Sequence, residues 1–136
     1  MEMQKNIVVG GKRKTALAKA TIKPGNGRIL INKIPYENLD FFKKLTIEEI
    51  IELTKQAEGN FDFDIEVKIT GGGNEGQISA ARLAIARALV EFTKSEKLKK
   101  DFLNYDRSLL VADTRRKEAY KPGDSKARRK RQKSFR

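Results

Sequence analysis

The stretch that most constrains the fold is FDFDIEVKIT, residues 61–70, in which apolar and polar side chains alternate without a break. Successive side chains of a β-strand point to opposite faces, so this strand has one apolar face and one mostly charged face. Such a strand belongs to a sheet that is covered on one side and solvated on the other. The stretch therefore predicts a two-layer protein with helices packed on one face of a sheet.

The covering layer is predicted to contain two or three helices. The longest runs over residues 77–94, where apolar residues recur every three or four positions. A shorter helix is predicted to begin at Thr46, because Thr46 and Glu49 form a capping box, and to end at Gly59. Leu98, Phe102 and Tyr105 have helical spacing and predict a third helix over residues 97–105.

Three more strands are predicted to complete the sheet. The β-branched run at residues 7–9 predicts a strand that ends at the glycine pair 10–11. Residues 15–32 contain two strand patterns around the turn sequence PGNG and predict a β-hairpin. Residues 109–112 are a candidate edge strand. The fold class is therefore α+β, a two-layer α/β sandwich of about four strands with helices on one face.

Charge divides the chain into two unequal parts. The 136 residues carry 30 Lys and Arg against 18 Asp and Glu, a net charge of +12. Residues 113–136 have 11 basic and 3 acidic residues, a net of +8, whereas residues 1–112 have 19 and 15, a net of +4. We therefore predict a globular domain over residues 1–112 and an extended basic tail over residues 113–136. This asymmetry indicates a polyanionic partner.

The tail, which ends in SKARRKRQKSFR, is predicted to be disordered when free. Six of the eight residues 126–133 are basic, so a free helix would place like charges side by side, and little apolar surface is available for burial. Fully extended, 24 residues span about 80 Å, whereas a domain of this size has a radius of gyration of about 13 Å. Tyr120 and Phe135 can stack on bases. The tail is therefore suited to reach into a nucleic acid.

Several classes of chemistry are excluded or disfavoured. The chain has no cysteine and no histidine, which excludes disulfides, thiol nucleophiles, imidazole catalysis and the usual zinc sites. Asp62, Asp64 and Glu66 share one strand face about 6–7 Å apart, and we interpret them as a solvated face opposite Lys19 and Lys23. We predict no enzyme activity, metal, cofactor or small-molecule substrate. A signal peptide and membrane spans are not evident, which favours the cytoplasm.

Two loops are candidate phosphate contacts. The segment GGGNEG, residues 71–76, has the glycine spacing of a P-loop, but Gln77 replaces the required lysine and Ile78 the magnesium-binding hydroxyl. It also fits a KH-type GxxG, although it follows a strand and Glu75 would repel phosphate. Two interpretations stay open, a flexible connection and a backbone phosphate contact through Gly71, Gly72, Gly73 and Gly76. In the other loop, GGKRKT, the basic residues Lys12, Arg13 and Lys14 are candidate phosphate ligands.

Three segments together resemble one known family. They are GGKRKTALAKATIKPGNGRILIN, GGGNEGQISAARLAIARAL and LLVADTRRKEAYKPGDSKARRKRQKSFR, and they resemble the universal small-subunit ribosomal protein family S-nine over nearly the whole chain. The ending RQKSFR is similar to the archaeal branch more than to the bacterial one, whose tails commonly carry a proline here and close on Lys-Arg.

The resemblance implies a fold, a location and a set of partners. The fold is that of the second domain of small-subunit ribosomal protein five, including a left-handed βαβ crossover. The protein is expected in the head of the 30S-type subunit, bound to 16S-type rRNA and beside other head proteins. The tail is expected to reach the decoding region, with Ser134, Phe135 and Arg136 nearest the P-site tRNA.

Thirteen basic residues are then the candidate rRNA ligands: Lys12, Arg13, Lys14, Arg115, Arg116, Lys117, Lys121, Lys126, Arg128, Arg129, Lys130, Arg131 and Lys133. Two alternatives are considered beside the ribosomal one. A general nucleic-acid-binding protein, of nucleoid or antitermination type, would bind duplex DNA about as well as structured rRNA. An enzyme would have to use the segment 71–76 together with Asp62 and Asp64.

Overall fold

The computed structural model describes residues 6–111, which form a five-stranded sheet and three α-helices. The strands are β1 (Ile7–Arg13), β2 (Ala16–Pro24), β3 (Ile29–Ile31), β4 (Ile34–Pro35) and β5 (Phe63–Thr70), in the order β1-β2-β5-β3-β4. The helices are α1 (Phe41–Glu58), α2 (Asn74–Thr93) and α3 (Glu96–Tyr105). The predicted α+β class is confirmed, with one strand more than the four expected.

A single hydrophobic core lies between the sheet and the helices. Alternate residues of β2 and β5 are buried on one face, as their alternation predicts, and they pack with apolar residues of all three helices. On the opposite face of the sheet Val8 and Leu17 are 62% and 50% exposed. Strands β3 and β5 are parallel, with α1 between them in the chain. The left-handedness of this crossover stays a prediction.

The predicted hairpin over residues 15–32 is wrong, because β5 lies between the two strands that it would join. β2 pairs antiparallel with β1 and β5, whereas β3 pairs with β5 and β4. The segment between β2 and β3 passes the start of β5 and is held there by Asp64. The carboxylate of Asp64 accepts hydrogen bonds from the backbone N–H groups of Asn26 at 3.0 Å and Arg28 at 3.1 Å.

These contacts give Asp64 a structural role and a pH dependence. The hydrogen bond from the Arg28 N–H is the main cause that lowers the pKa of Asp64 below its ordinary value of 3.8, helped by the Asn26 N–H and by the charge of Lys23. A carboxyl group whose pKa is lowered on folding stabilises the fold above its unfolded pKa, and this stabilisation is lost as the pH falls through the folded pKa. Asp64 therefore stabilises the domain at neutral pH and loses this effect below about pH 4.

We expect Asp64→Asn to lower the free energy of unfolding at pH 7 by about 1 kcal/mol, the size of a solvent-screened hydrogen bond to a charged acceptor. Urea unfolding at pH 7 and at pH 3 measures the effect, which should be smaller at pH 3. The matched control is Glu66→Gln, on the same exposed face of β5. Equal losses for the two variants at both pH values would contradict the role assigned to Asp64.

The first strand also differs from its prediction, since β1 continues through Gly10 and Gly11 to Arg13. Gly11 is buried where α2 crosses the strand. A Cβ atom at Gly11 would lie 2.6 Å from the Ala80 carbonyl oxygen and 2.7 Å from the Ala84 nitrogen. The helix presents small residues to the sheet, and Ala80, Ala81 and Ala84 are fully buried. The glycine therefore allows close strand–helix packing and is not a strand break.

Other element boundaries also differ from the predictions. α1 begins at Phe41, before the predicted capping box, and Thr46 is not its cap, since the Thr46 hydroxyl donates to the Phe42 carbonyl within the helix at 2.9 Å. It ends at Gly59, as predicted, with a left-handed φ of 85°. α2 begins at Asn74, three residues before the predicted start. The edge strand expected over residues 109–112 does not form in its described part, since residues 107–109 are a 3-10 turn and Leu109 packs into the core.

Candidate nucleic-acid interface

The structure brings the two predicted phosphate-binding loops together at one end of the sheet. The β1–β2 turn and the glycine segment before α2 line an open depression of about 450 Å³. Its lining consists of Arg13, Lys14 and Thr15 on one side and Gly72, Gly73, Asn74, Glu75, Gly76 and Ser79 on the other. The two loops meet because β5, which leads into the glycine segment, pairs with the start of β2 through Leu17 and Thr70.

The three cations of the first loop do not act as one cluster. Lys12 is exposed on the uncovered face of the sheet, where it lies opposite Leu17. Arg13, on the helix side of the same strand, is half-buried and lines the depression. Lys14 occupies the two-residue turn with a left-handed φ of 54°. The structure therefore places Arg13 and Lys14 at the depression and Lys12 on the sheet face.

The first two glycines of the second loop are required by the fold. Gly71 and Gly72 have φ values of 73° and 70°, which residues other than glycine rarely adopt. A Cβ atom would also lie 2.6 Å from the Thr15 carbonyl oxygen at Gly71 and 2.7 Å from the Ala16 Cβ at Gly72. These two residues let the chain turn in close contact with the start of β2. This is the role expected if the segment is a flexible connection between a strand and a helix.

Gly73 and Gly76 have no such structural explanation. A Cβ atom at Gly73 would meet nothing within 4 Å, and at Gly76 its nearest neighbours would lie at an ordinary 3.8 Å. Gly73 is the N-cap residue of α2. Among residues 6–111, no side chain donates or accepts a capping hydrogen bond at this start of the helix. The N–H groups of a helix start lack partners within the helix and favour an anion. Glu75 in the first turn opposes this effect, whereas Arg13 and Lys14 across the depression support it.

A pair of variants separates the two roles of the glycine segment. We expect Gly73→Ala to leave the stability nearly unchanged and to weaken RNA binding severalfold, because the methyl group lies at the mouth of the depression. Gly72→Ala should destabilise the domain by about 1–3 kcal/mol through its positive φ and its contact with Ala16. Urea unfolding and RNA titration of both proteins measure these effects. If Gly73→Ala binds RNA as tightly as the wild type, the glycine segment is only a connection between β5 and α2.

Two arginines of α2 hold the last described residues of the chain. The Arg87 side chain donates one hydrogen bond to the Leu110 carbonyl at 3.0 Å and another to the Gly10 carbonyl at 3.4 Å. Arg82, only 18% exposed, pairs with Asp106 at 3.3 Å and with Glu49 at 3.6 Å. Residues 106–110 are thereby tied to α2 and to the edge strand β1. Sequence reasoning missed both arginines, although basic residues within an otherwise apolar helix are a usable signal.

The predicted residues of the tail lie outside the described residues. These are Arg115, Arg116, Lys117, Lys121, Lys126, Arg128, Arg129, Lys130, Arg131, Lys133, Ser134, Phe135 and Arg136. Within residues 6–111 no group of acidic, histidine or cysteine side chains is arranged to hold a metal ion. In the same part of the chain, no helix has the length and apolar character that a membrane span needs.

Comparison with known proteins identifies the family. Residues 11–136 match the family model of ribosomal protein S9/S16. The chain belongs to this family. It is 49% identical over 129 residues to the small ribosomal subunit protein uS9 of Methanococcus maripaludis strain C7, covering 93% of this chain and 95% of the relative. The protein of the same name from Methanococcus vannielii is 46% identical with the same coverage.

These relatives confirm the predicted family and its archaeal-like branch, since Methanococcus is archaeal. Members of the S9 family are structural ribosomal proteins and not enzymes. The enzyme alternative built on Asp64 and the glycine segment is therefore set aside, and the hydrogen bonds of Asp64 explain its position on structural grounds.

Proposed function

We propose that this member of a small-subunit ribosomal protein family binds 16S-type rRNA in the head of the cytoplasmic subunit, beside other head proteins. The globular domain, residues 1–112, docks on folded rRNA. The basic tail, residues 113–136, extends from it to the decoding region and contacts the P-site tRNA during translation. The protein thus has two parts with different tasks, an anchor and a long cationic extension.

The observation that supports this proposal is that the depression and the last described residues of the chain both lie beside β1. The depression with Arg13 and Lys14 lies at one end of this strand. The backbone of Gly10, three residues away or about 10 Å along a strand, accepts a hydrogen bond from Arg87, which also donates to the Leu110 carbonyl. An RNA surface that meets the depression would therefore also lie near residues 110 and 111, from which the proposed tail continues.

The tail supplies charge where phosphates are densely packed. Its basic residues from Arg115 to Lys133 are proposed to line the rRNA path, and Ser134, Phe135 and Arg136 to lie nearest the tRNA. A guanidinium group can donate two parallel hydrogen bonds to phosphate oxygens, which an ammonium group cannot do. Arg136 is therefore well suited to bind the phosphates of a tRNA backbone.

Sedimentation of a cell lysate tests the proposal. The protein should co-migrate with small subunits and remain there through a high-salt wash, because its domain and tail are both embedded in rRNA. A protein found free in the soluble fraction would contradict the proposal. Competition at fixed salt addresses the general nucleic-acid-binding alternative, which requires that duplex DNA displace the protein as well as structured rRNA does.

A further inference from the structure

The uncovered face of the sheet carries two lysines in direct opposition, Lys19 on β2 and Lys68 on β5. Both side chains are exposed. Residues directly opposite each other in an antiparallel pair have Cβ atoms about 4.5–5.5 Å apart, and like charges in that position destabilise a sheet. The like-charge pair therefore lowers the stability of the isolated domain, unless a negative charge lies close to both lysines.

Lys12 on β1 extends this positive region toward the β1–β2 turn. It lies opposite Leu17, two residues from Lys19 on the neighbouring strand and so about 7 Å away along it. Within residues 6–111 none of the three lysines forms an ion pair. Of the acidic residues of this face, Asp64 lies toward the other end of β5, whereas Glu66 lies opposite Thr21, one same-face position or about 7 Å from Lys68 along the strand. From the Lys19–Lys68 pair to the β1–β2 turn the face thus has three cations and no acid, and Glu66 borders this region.

The helix layer offers no comparable surface. α1 contains three lysines and four glutamates, and α3 contains three lysines and two acidic residues. The positive region of the sheet also includes exposed apolar surface, since Leu17 is 50% exposed. A polyanion that also presents weakly polar surface, such as the riboses of an RNA strand, matches both properties.

We propose that the uncovered sheet face is a second rRNA-binding surface of the domain, in which Lys12, Lys19 and Lys68 bind backbone phosphates and Leu17 packs against ribose. This inference rests on the proposed function and adds to it a surface separate from the depression and the tail. It assigns the uncovered sheet face, together with the depression at the end of the sheet, to RNA and leaves the outer surfaces of α1 and α3 for other neighbours.

Salt-dependent binding tests the energetic part of the proposal, with a transcript of the head domain of 16S-type rRNA as the probe. The full-length variant Lys19→Gln/Lys68→Gln should bind about tenfold more weakly. Its plot of log affinity against log salt should be shallower by roughly 1.4 to 1.8 units, the loss of two phosphate contacts. The control Lys97→Gln/Lys100→Gln removes the same charge from exposed positions of α3 and should bind like the wild type. Equal behaviour of the two variants would overturn the proposal.

Directed cleavage tests the placement, because the natural chain has no cysteine and a single one can be introduced. An iron chelate that generates hydroxyl radicals, attached at Thr21→Cys on the uncovered face, should cleave the rRNA of assembled subunits. The same reagent at Lys97→Cys on α3 should cleave much less. If only the α3 site cleaves, or if Lys19 cross-links to an acidic protein neighbour in place of RNA, the inference is wrong. Failure of the wild-type protein to prefer the head transcript over an unrelated duplex would instead refute the proposed function itself.

Discussion

Replacing Gly11 by alanine is expected to destabilise the folded domain by about 3 kcal/mol, the largest effect of a single methyl group that we foresee in this protein. The added Cβ would lie 2.6 Å from the Ala80 carbonyl oxygen and 2.7 Å from the Ala84 nitrogen. Both are backbone atoms of α2, so no side-chain rotation can relieve the contact. The helix must move away from β1 and loosen the core between them.

The neighbouring glycine provides a matched control. A Cβ atom at Gly10 would have its nearest contact at 3.9 Å, with the Ala18 carbonyl oxygen, on the uncovered side of the same strand. Gly10→Ala should therefore be neutral, or slightly stabilising because the unfolded chain loses freedom. Urea unfolding of both variants gives the comparison. Similar stabilities would show that close packing of α2 does not explain Gly11.

Deleting residues 113–136 is expected to have the largest effect on RNA binding. The deletion removes ten candidate phosphate ligands, Arg115, Arg116, Lys117, Lys121, Lys126, Arg128, Arg129, Lys130, Arg131 and Lys133. Each neutralised phosphate contributes about 0.9 to the slope of log affinity against log salt. The slope should therefore fall by about 9 units if all ten bind and by about 4.5 if half of them do.

Titration of the rRNA head transcript between 50 and 200 mM salt measures this loss, which at low salt amounts to several orders of magnitude in affinity. A chain with the order of residues 126–133 reversed keeps the composition and is the control. It should retain most of the salt slope, because phosphate neutralisation depends little on the order of the charges. A slope that is unchanged by the deletion would place RNA binding in the domain alone.

Elements that depend on local pattern were predictable from the sequence. The alternation over residues 61–70 predicted β5 and its buried face, and the apolar spacing after residue 77 predicted most of α2. The hairpin prediction failed because its correction is non-local. β5 inserts beside β2, and Asp64 bonds to Asn26 from 38 positions away in the chain. No short stretch of sequence records that contact.

The candidate site divides in the same way. Lys14 and the glycine segment were each identified as phosphate-binding candidates, but their shared depression depends on the pairing of β2 with β5. The interpretation of Gly11 as a strand end failed because the atoms that it packs against lie on a helix about 70 residues later in the chain. The opposition of Lys19 and Lys68 likewise exists only in the register of the folded sheet.

The division between an anchoring domain and a reaching tail is tested most directly by deleting residues 134–136 and measuring P-site tRNA dissociation from purified small subunits. Subunits should contain the shortened protein at wild-type levels, because the domain and residues 113–133 still bind rRNA. The tRNA should dissociate on the order of tenfold faster, which corresponds to the loss of about 1.4 kcal/mol of contact. The variant Arg136→Lys keeps the charge but not the paired hydrogen bonds. Its tRNA dissociation rate should lie between those of the wild type and the shortened protein. Subunits that lack the shortened protein, or that release tRNA at the wild-type rate, would contradict the account.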